Sequence, residues 1–167
     1  MTGGGGDPAA ELRARLDAVS ERLEALSRAA PPGSLTEPDP STGERWEWGQ
    51  VWAHMAEFPE YWMDQIRDAL AQESDEPVPF GRTKTDPHRN AEIERERHAP
   101  PAELWERISA DLDRLRAMLT ELSPGDWARS GLHPTMGVMD LPRIVNEFLV
   151  GHLEQHAEQL ENLVDAG

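Results

Sequence analysis

An all-α four-helix bundle is the fold class this sequence predicts, and three observations predict it. Four stretches place apolar residues three and four apart with charges on the opposite side. Proline- and glycine-rich segments separate those stretches, and no segment shows the period-two alternation of a half-buried strand. The 167 residues suffice for one core and not for two, so residues 7–167 read as one domain behind a flexible glycine leader over 1–6. Four amphipathic helices each have one face to bury, and a bundle buries all four together.

The first helix starts at Asp7, an N-cap, with Pro8 at the first helical position, where a missing N–H is harmless. Leu12, Leu16, Val19, Leu23 and Leu26 follow, and the helix is expected to end near Ala30. The run PPGSLTEPDPSTG, 31–43, carries four prolines and two glycines and can only connect. A second helix is expected from about Trp46 to Glu73, with Val51, Trp52, Met55, Phe58, Trp62, Ile66, Ala69 and Leu70 on one arc. Pro59 lacks an N–H and crowds the carbonyl of Met55, which predicts a bend one turn after His54. From Ser74 to Pro101 the chain reads as a long polar loop, of the kind that shapes a site. A third helix, about Ala102 to Leu122, carries Leu104, Trp105, Ile108, Leu112, Leu115, Leu119 and Leu122 on one stripe, and Ser123-Pro124-Gly125 stops it. A second loop holds Trp127 and GLHPTMGVMD, after which Asp140 caps a fourth helix running to about Val164. The six tryptophans, at 46, 48, 52, 62, 105 and 127, read as core and loop anchors.

Charge and composition narrow the function. With 32 acidic against 16 basic residues the net charge is -16, which repels nucleic acid and anionic membrane surfaces. Cysteine is absent, which excludes disulfides and thiolate ligands or nucleophiles, so any metal has to sit on His, Asp or Glu. The start MTGGGGDP has neither the basic residues nor the apolar run of a signal peptide, and no segment has the length to span a bilayer; the expected location is the cytoplasm. Arginine outnumbers lysine 15 to 1, a bias that points to a GC-rich genome.

The stretch GHLEQHAEQL sets His152 and His156 four residues apart. On a helical wheel His156 lies about 40° from His152, with Val145, Leu149 and Leu163 within about 60° and the acidic residues opposite, so both imidazoles face the core. Residues at i and i+4 stand roughly 5–6 Å apart at Cβ, close enough to share one ion. Two packed core histidines remain the plain alternative. His54, in VWAHMAEF, lies on the margin of the second helix's apolar arc and brings an imidazole from another element. Three neutral imidazoles are costly to bury unligated, whereas a divalent ion accepts three nitrogens and leaves a fourth position open for chemistry.

The tryptophan-flanked helix around His54, the loop motif LHPTMG from Leu132 to Gly137, and GHLEQHAEQLENL together resemble the DinB/YfiT-like superfamily, over roughly Trp46 to Leu163. That resemblance implies a four-helix bundle with an up-down-down-up course. It also implies a metal ion, commonly zinc or nickel, on one histidine of the second helix and a His-x3-His of the fourth, which here are His54, His152 and His156. Characterised members include thiol S-transferases using bacillithiol or mycothiol and a mycothiol-dependent isomerase. A mycothiol user suits a GC-rich host. The resemblance therefore implies a metal-dependent transferase that brings a low-molecular-weight thiol to a small electrophile. A metal-dependent hydrolase is chemically adjacent, and a non-catalytic bundle that binds a small ligand or oligomerises, as a homodimer for example, is the contrasting class.

Three further residues are candidates for the catalytic surroundings. Glu57, one turn from His54, can orient that imidazole or join the ligands. Tyr61 can donate its phenol to a substrate. His133, in the loop before the fourth helix, can line the mouth of the bundle. Arg82, Lys84, Arg89, Arg95 and Arg97 form the one locally basic stretch and can meet a carboxylate on a thiol or substrate, although the interleaved Glu92, Glu94 and Glu96 favour a solvated charged surface.

Overall fold

A computed structural model describes residues 6–166. The leader expected over 1–6 lies, apart from Gly6, outside the described residues. The first helix, α1 (Pro8–Ser27), begins where the Asp7 carboxylate accepts the Ala9 N–H at 3.1 Å, with Pro8 at its start, and it buries Leu12, Leu16, Val19, Leu23 and Leu26. It stops three residues before Ala30. The second, α2 (Trp48–Ala71), runs unbroken through Pro59, which is itself buried. The stripe of α4 (Pro101–Glu121) matches the expected third helix to within a residue and buries Leu104, Ile108, Leu112, Leu115 and Leu119.

Two expectations need correction. The stretch 74–101 is not all loop: it holds α3 (Pro87–Glu96), whose N-cap Asp86 accepts the Arg89 N–H at 2.8 Å. Only Arg89 and Ile93 of that helix are buried, so its apolar stripe is too thin to register as a period. Strands are present as well. After the single turn α5 (Pro124–Trp127), β2 (Ser130–His133) and β3 (Gly137–Asp140) form an antiparallel hairpin, and β1 (Val78–Pro79) adds to β2 in parallel. Strands of two to four residues are too short to display alternation. Gly81 follows β1 with φ +91°, and a Cβ there would stand 2.8 Å from the His133 ring, so the turn admits glycine alone.

The fourth helix is continuous but not uniform. It consists of α6 (Leu141–Val145), capped by Asp140, one π-helical turn over Asn146–Val150, and α7 (Gly151–Ala166). The widened turn brings the Asn146 carbonyl against Gly151, where a Cβ would lie 2.5 Å from that oxygen. Glycine is what lets the turn close immediately before His152.

Lateral contacts give the course of the chain. Arg15 pairs with Glu154 and Arg22 with Glu161, so α1 and α7 run parallel. Arg13 and Arg116 of α1 and α4 reach Thr120 and Asp17, so that pair is antiparallel. Phe58 packs on His152 and Trp62 on Phe148, so α2 is antiparallel to the fourth helix. The order is up, down, down, up. Each of α1 and α2 packs against both α4 and α7, and the core between them includes Leu16, Trp52, Met55, Leu112, Leu149 and Leu160. Among the described residues, no helix is long and apolar enough to cross a membrane.

Candidate metal centre

The antiparallel packing of α2 on α7 puts His54 opposite His152 and His156. The Nε2 atom of His152 lies 3.0 Å from Nε2 of His54 and 2.8 Å from Nε2 of His156. The other ring nitrogens have fixed partners: His54 Nδ1–H donates to Glu57 Oε2 at 3.0 Å and His156 Nδ1–H to Gln159 Oε1 at 2.7 Å. A carboxylate or amide oxygen can only accept, so both Nδ1 atoms carry the proton and both facing Nε2 atoms present lone pairs. His152 has at most one N–H to offer on Nε2, which leaves at least one lone pair directed at another in a buried place.

A divalent cation removes that conflict, and the donor set fits one. Potential ligand atoms of the three histidines all lie within 4.8 Å of one another. Bonds of about 2.0–2.1 Å at tetrahedral angles space nitrogens roughly 3.3 Å apart, only a few tenths more than the contacts here. Protonation also favours ligation. Burial, aided by the neighbouring histidines and by Arg89 and Arg82, holds the His54 imidazole far below its usual range. His152 is depressed in the same way by burial, His156 and Arg89. Burial takes His156 to about 4 against the opposing hydrogen bond to Gln159. All three are therefore neutral near pH 7, the form that binds metal.

The surroundings fix the rings. Phe58 packs edge-on to His152 with centroids 4.5 Å apart and lies 5.0 Å from His54, while Trp46 stands 5.4 Å from His54 and stacks on His156 at 6.4 Å. Glu57 uses both oxygens: Oε2 accepts the hydrogen bond from His54 Nδ1–H and Oε1 pairs with Arg82. Burial pushes the Glu57 carboxyl up, against the pull of Arg82. The whole arrangement spans two non-consecutive helices and two connectors. Residues 16–160 match the DinB superfamily.

The chain belongs to that superfamily.

Solved structures agree on the fold. This DinB superfamily chain is similar to YfiT from Bacillus subtilis, described as a probable metal-dependent hydrolase with an unusual four-helix bundle topology, with TM-score 0.74 and 18% identity over 95% of this chain and 86% of that one. It is also similar to the mycothiol-dependent maleylpyruvate isomerase, with TM-score 0.67 and 16% identity over 91% of this chain. There it spans only 60% of the partner's length. An uncharacterized protein from Clostridium difficile 630 gives TM-score 0.66 and 11% identity, covering 94% of this chain and 95% of the other. No curated protein matches the sequence.

Within this DinB bundle the other expected site residues separate. Glu57 stands directly behind His54. Tyr61 is one step further out, its ring 3.9 Å beneath the Arg82 guanidinium, and burial pushes its phenol up. His133 is brought to the loop and not to the three-histidine cluster: its Nδ1 accepts the Thr135 and Met136 N–H groups at 3.2 Å, and its Nε2–H donates to the Arg82 carbonyl at 3.3 Å. Both of its nitrogens are thus engaged in holding the β2–β3 turn against the loop after β1. It borders a cleft of about 460 Å³ with Gln65, Phe80 and Leu132, away from the three Nε2 atoms.

The basic stretch also divides. Arg95 pairs with Glu92 on the solvated surface, and the half-buried Arg97 pairs with Glu47 and Glu94. Arg82 and Arg89 instead turn inward and are buried. Sequence reasoning gave Trp46 only an anchoring part and passed over Gln159 altogether. Gln159 was findable, because it follows His156 by three residues as Glu57 follows His54.

Proposed function

We propose that His54, His152 and His156 hold a divalent metal ion, zinc or nickel, through Nε2, and that the chain is a metal-dependent enzyme bringing a low-molecular-weight thiol such as mycothiol to a small electrophile. The observation that carries this reading is the convergence of three Nε2 atoms whose tautomers are set from behind by Glu57 and Gln159. An ion bound there would supply Lewis acidity, lowering the pKa of a thiol or water and stabilising negative charge on a reacting oxygen. Glu57, by accepting the Nδ1 proton, orients the His54 ring and raises the basicity of its Nε2. Arg82 neutralises Glu57 so that its charge is not buried alone. Phe58 and Trp46 pack against the cluster and hold its rings. The mycothiol-dependent isomerase with the same fold supports the thiol.

A hydrolase is the second reading, favoured by the description of YfiT. Metal analysis of the purified protein, followed by parallel assays of thiol conjugation with mycothiol and of ester and amide hydrolysis, separates the two. The expected result is conjugation that is lost with chelator and in His156→Ala. Hydrolysis without thiol turnover would replace the first reading by the second. Absence of both, in protein shown to be metal-loaded, would leave a ligand-binding bundle. Turnover that persists in His156→Ala with chelator present would place the chemistry elsewhere.

A further inference from the structure

In a chain of net charge -16, a buried cation without an acidic partner calls for an explanation. Arg89 is 8% exposed, and among the described residues no carboxylate lies within 4.0 Å of it, whereas the equally buried Arg82 has Glu57. Among the described residues only one of its side-chain nitrogens is engaged: Nη1 donates to the Lys84 carbonyl at 3.1 Å and to Asn90 Oδ1 at 2.8 Å. The opposite edge, Nε and Nη2, has no partner among the described residues. Nor is that edge sealed, since the fully enclosed unpartnered side-chain nitrogens there are Trp48 Nε1, Trp52 Nε1 and Arg97 Nε. A guanidinium edge with two parallel N–H groups matches the two oxygens of a carboxylate.

The position is as informative as the vacancy of partners. The Arg89 guanidinium stands 5.6 Å from the Trp46 ring, and that same ring contacts His54 and His156. Arg89 is near enough for its charge to act on all three histidines, and Lys84 acts on His152 and His156. Lys84 itself is half-exposed and tethered to Asp39 at 2.6 Å on the 28–47 connector. Around the three Nε2 atoms the protein thus supplies one buried acid, Glu57, against two buried arginines with a lysine beyond them. Burying a positive charge is unfavourable unless an anion joins it. Glu57, Glu44 and Asp39 act on Arg89 from a distance, but among the described residues none of them pairs with it directly.

We propose that the Nε–Nη2 edge of Arg89, with Lys84 at the rim, receives the carboxylate of a small organic acid whose reacting part lies at the three-histidine centre. The substrate class is therefore anionic. The placement of the reacting part rests on the functional reading above; the carboxylate site itself does not, because it requires no metal.

Calorimetric titration of the metal-free and Ni²⁺-loaded protein with benzoate, benzamide and inorganic phosphate tests the assignment, with quenching of tryptophan fluorescence as a second readout. Benzoate is expected to bind both forms, more tightly when Ni²⁺ is present, with benzamide weaker by about tenfold or more. Arg89→Gln should reduce benzoate to the level of benzamide, Arg89→Lys should restore part of the loss, and Arg95→Gln should bind as the parent does. Circular dichroism establishes that each variant is folded; should Arg89→Gln not fold, Arg89→Lys and the benzamide comparison carry the decision. Equal binding of benzoate and benzamide, undiminished benzoate binding by Arg89→Gln or a folded Arg89→Lys, no benzoate binding at all, or a preference for phosphate would each overturn the carboxylate site. A separate Co²⁺ absorbance titration reports on the three histidines. Ligand-field bands lost in His152→Ala but kept in Arg89→Gln or Arg89→Lys support both readings, whereas Arg89-dependent benzoate binding without such bands would remove the metal and leave the anion site.

Discussion

Acid should unfold the metal-free protein through the three clustered histidines, two of them buried. In the unfolded chain an imidazole takes up its proton at about pH 6.5. In the fold, burial delays protonation of His156 to about 4 and depresses His54 and His152 as well. Between those limits the unfolded state binds more protons than the native state, so stability is fully present above pH 6.5 and declines as the pH falls toward 4. At about 1.36 kcal/mol per pH unit, His156 alone accounts for roughly 3 kcal/mol. That is a large share of the 5–15 kcal/mol typical of a domain. Glu57 and Asp111 work in the opposite direction, because burial raises their carboxyls and the fold then gains protons there on acidification. A comparison between variants removes this offset. Urea unfolding in EDTA at pH 7.5, 6.0, 5.0 and 4.5 should show the parent protein losing about 2–3 kcal/mol more than His156→Gln across the series. Parallel stability curves for the two proteins would refute the reasoning, since they would mean that His156 protonates as readily in the fold as out of it.

Three other outcomes are expected. Added Ni²⁺ or Zn²⁺ should raise the melting temperature at pH 7.5, do so weakly at pH 5.5 where protons compete for the nitrogens, and have no effect on His152→Ala, as differential scanning fluorimetry will show. Because Glu57 and Arg82 are a buried pair, Glu57→Gln or Arg82→Met alone should cost about 3–5 kcal/mol by urea unfolding, and the double variant clearly less than the sum. Gly151→Ala forces a methyl group to within 2.5 Å of the Asn146 carbonyl, so it should cost roughly 1–3 kcal/mol and, by shifting His152, weaken Co²⁺ binding measured by absorbance.

The four long helices were legible because each carries a full stripe of leucine-like residues, and Asp7-Pro8 and Asp140 announced two of their starts. The same signature, Asp86-Pro87, opens α3 and was passed over because no apolar stripe followed it. The three histidines were legible because regular spacing put each on a core-facing arc. What faces them was not. Arg89 lies 35 residues from His54 along the chain, in a helix with almost no hydrophobic pattern, and nothing local distinguishes it from Arg95, which is exposed and paired. Nor could a wheel of constant step register the π turn at Asn146–Val150, whose extra width depends on the contact between Gly151 and the Asn146 carbonyl.

The order of the helices has a consequence for synthesis. His54 and His152 are 98 residues apart in sequence, and the up-down-down-up course makes their helices direct neighbours. By the time α7 leaves the ribosome, α1, α2 and α4 have already been made, and the two histidines that complete the cluster come only with α7. Until α7 is made, a nascent chain therefore offers a passing ion a single imidazole from this cluster, too few to capture it. If the cluster takes an ion, as proposed, the choice among ions waits until α7 has packed on α2.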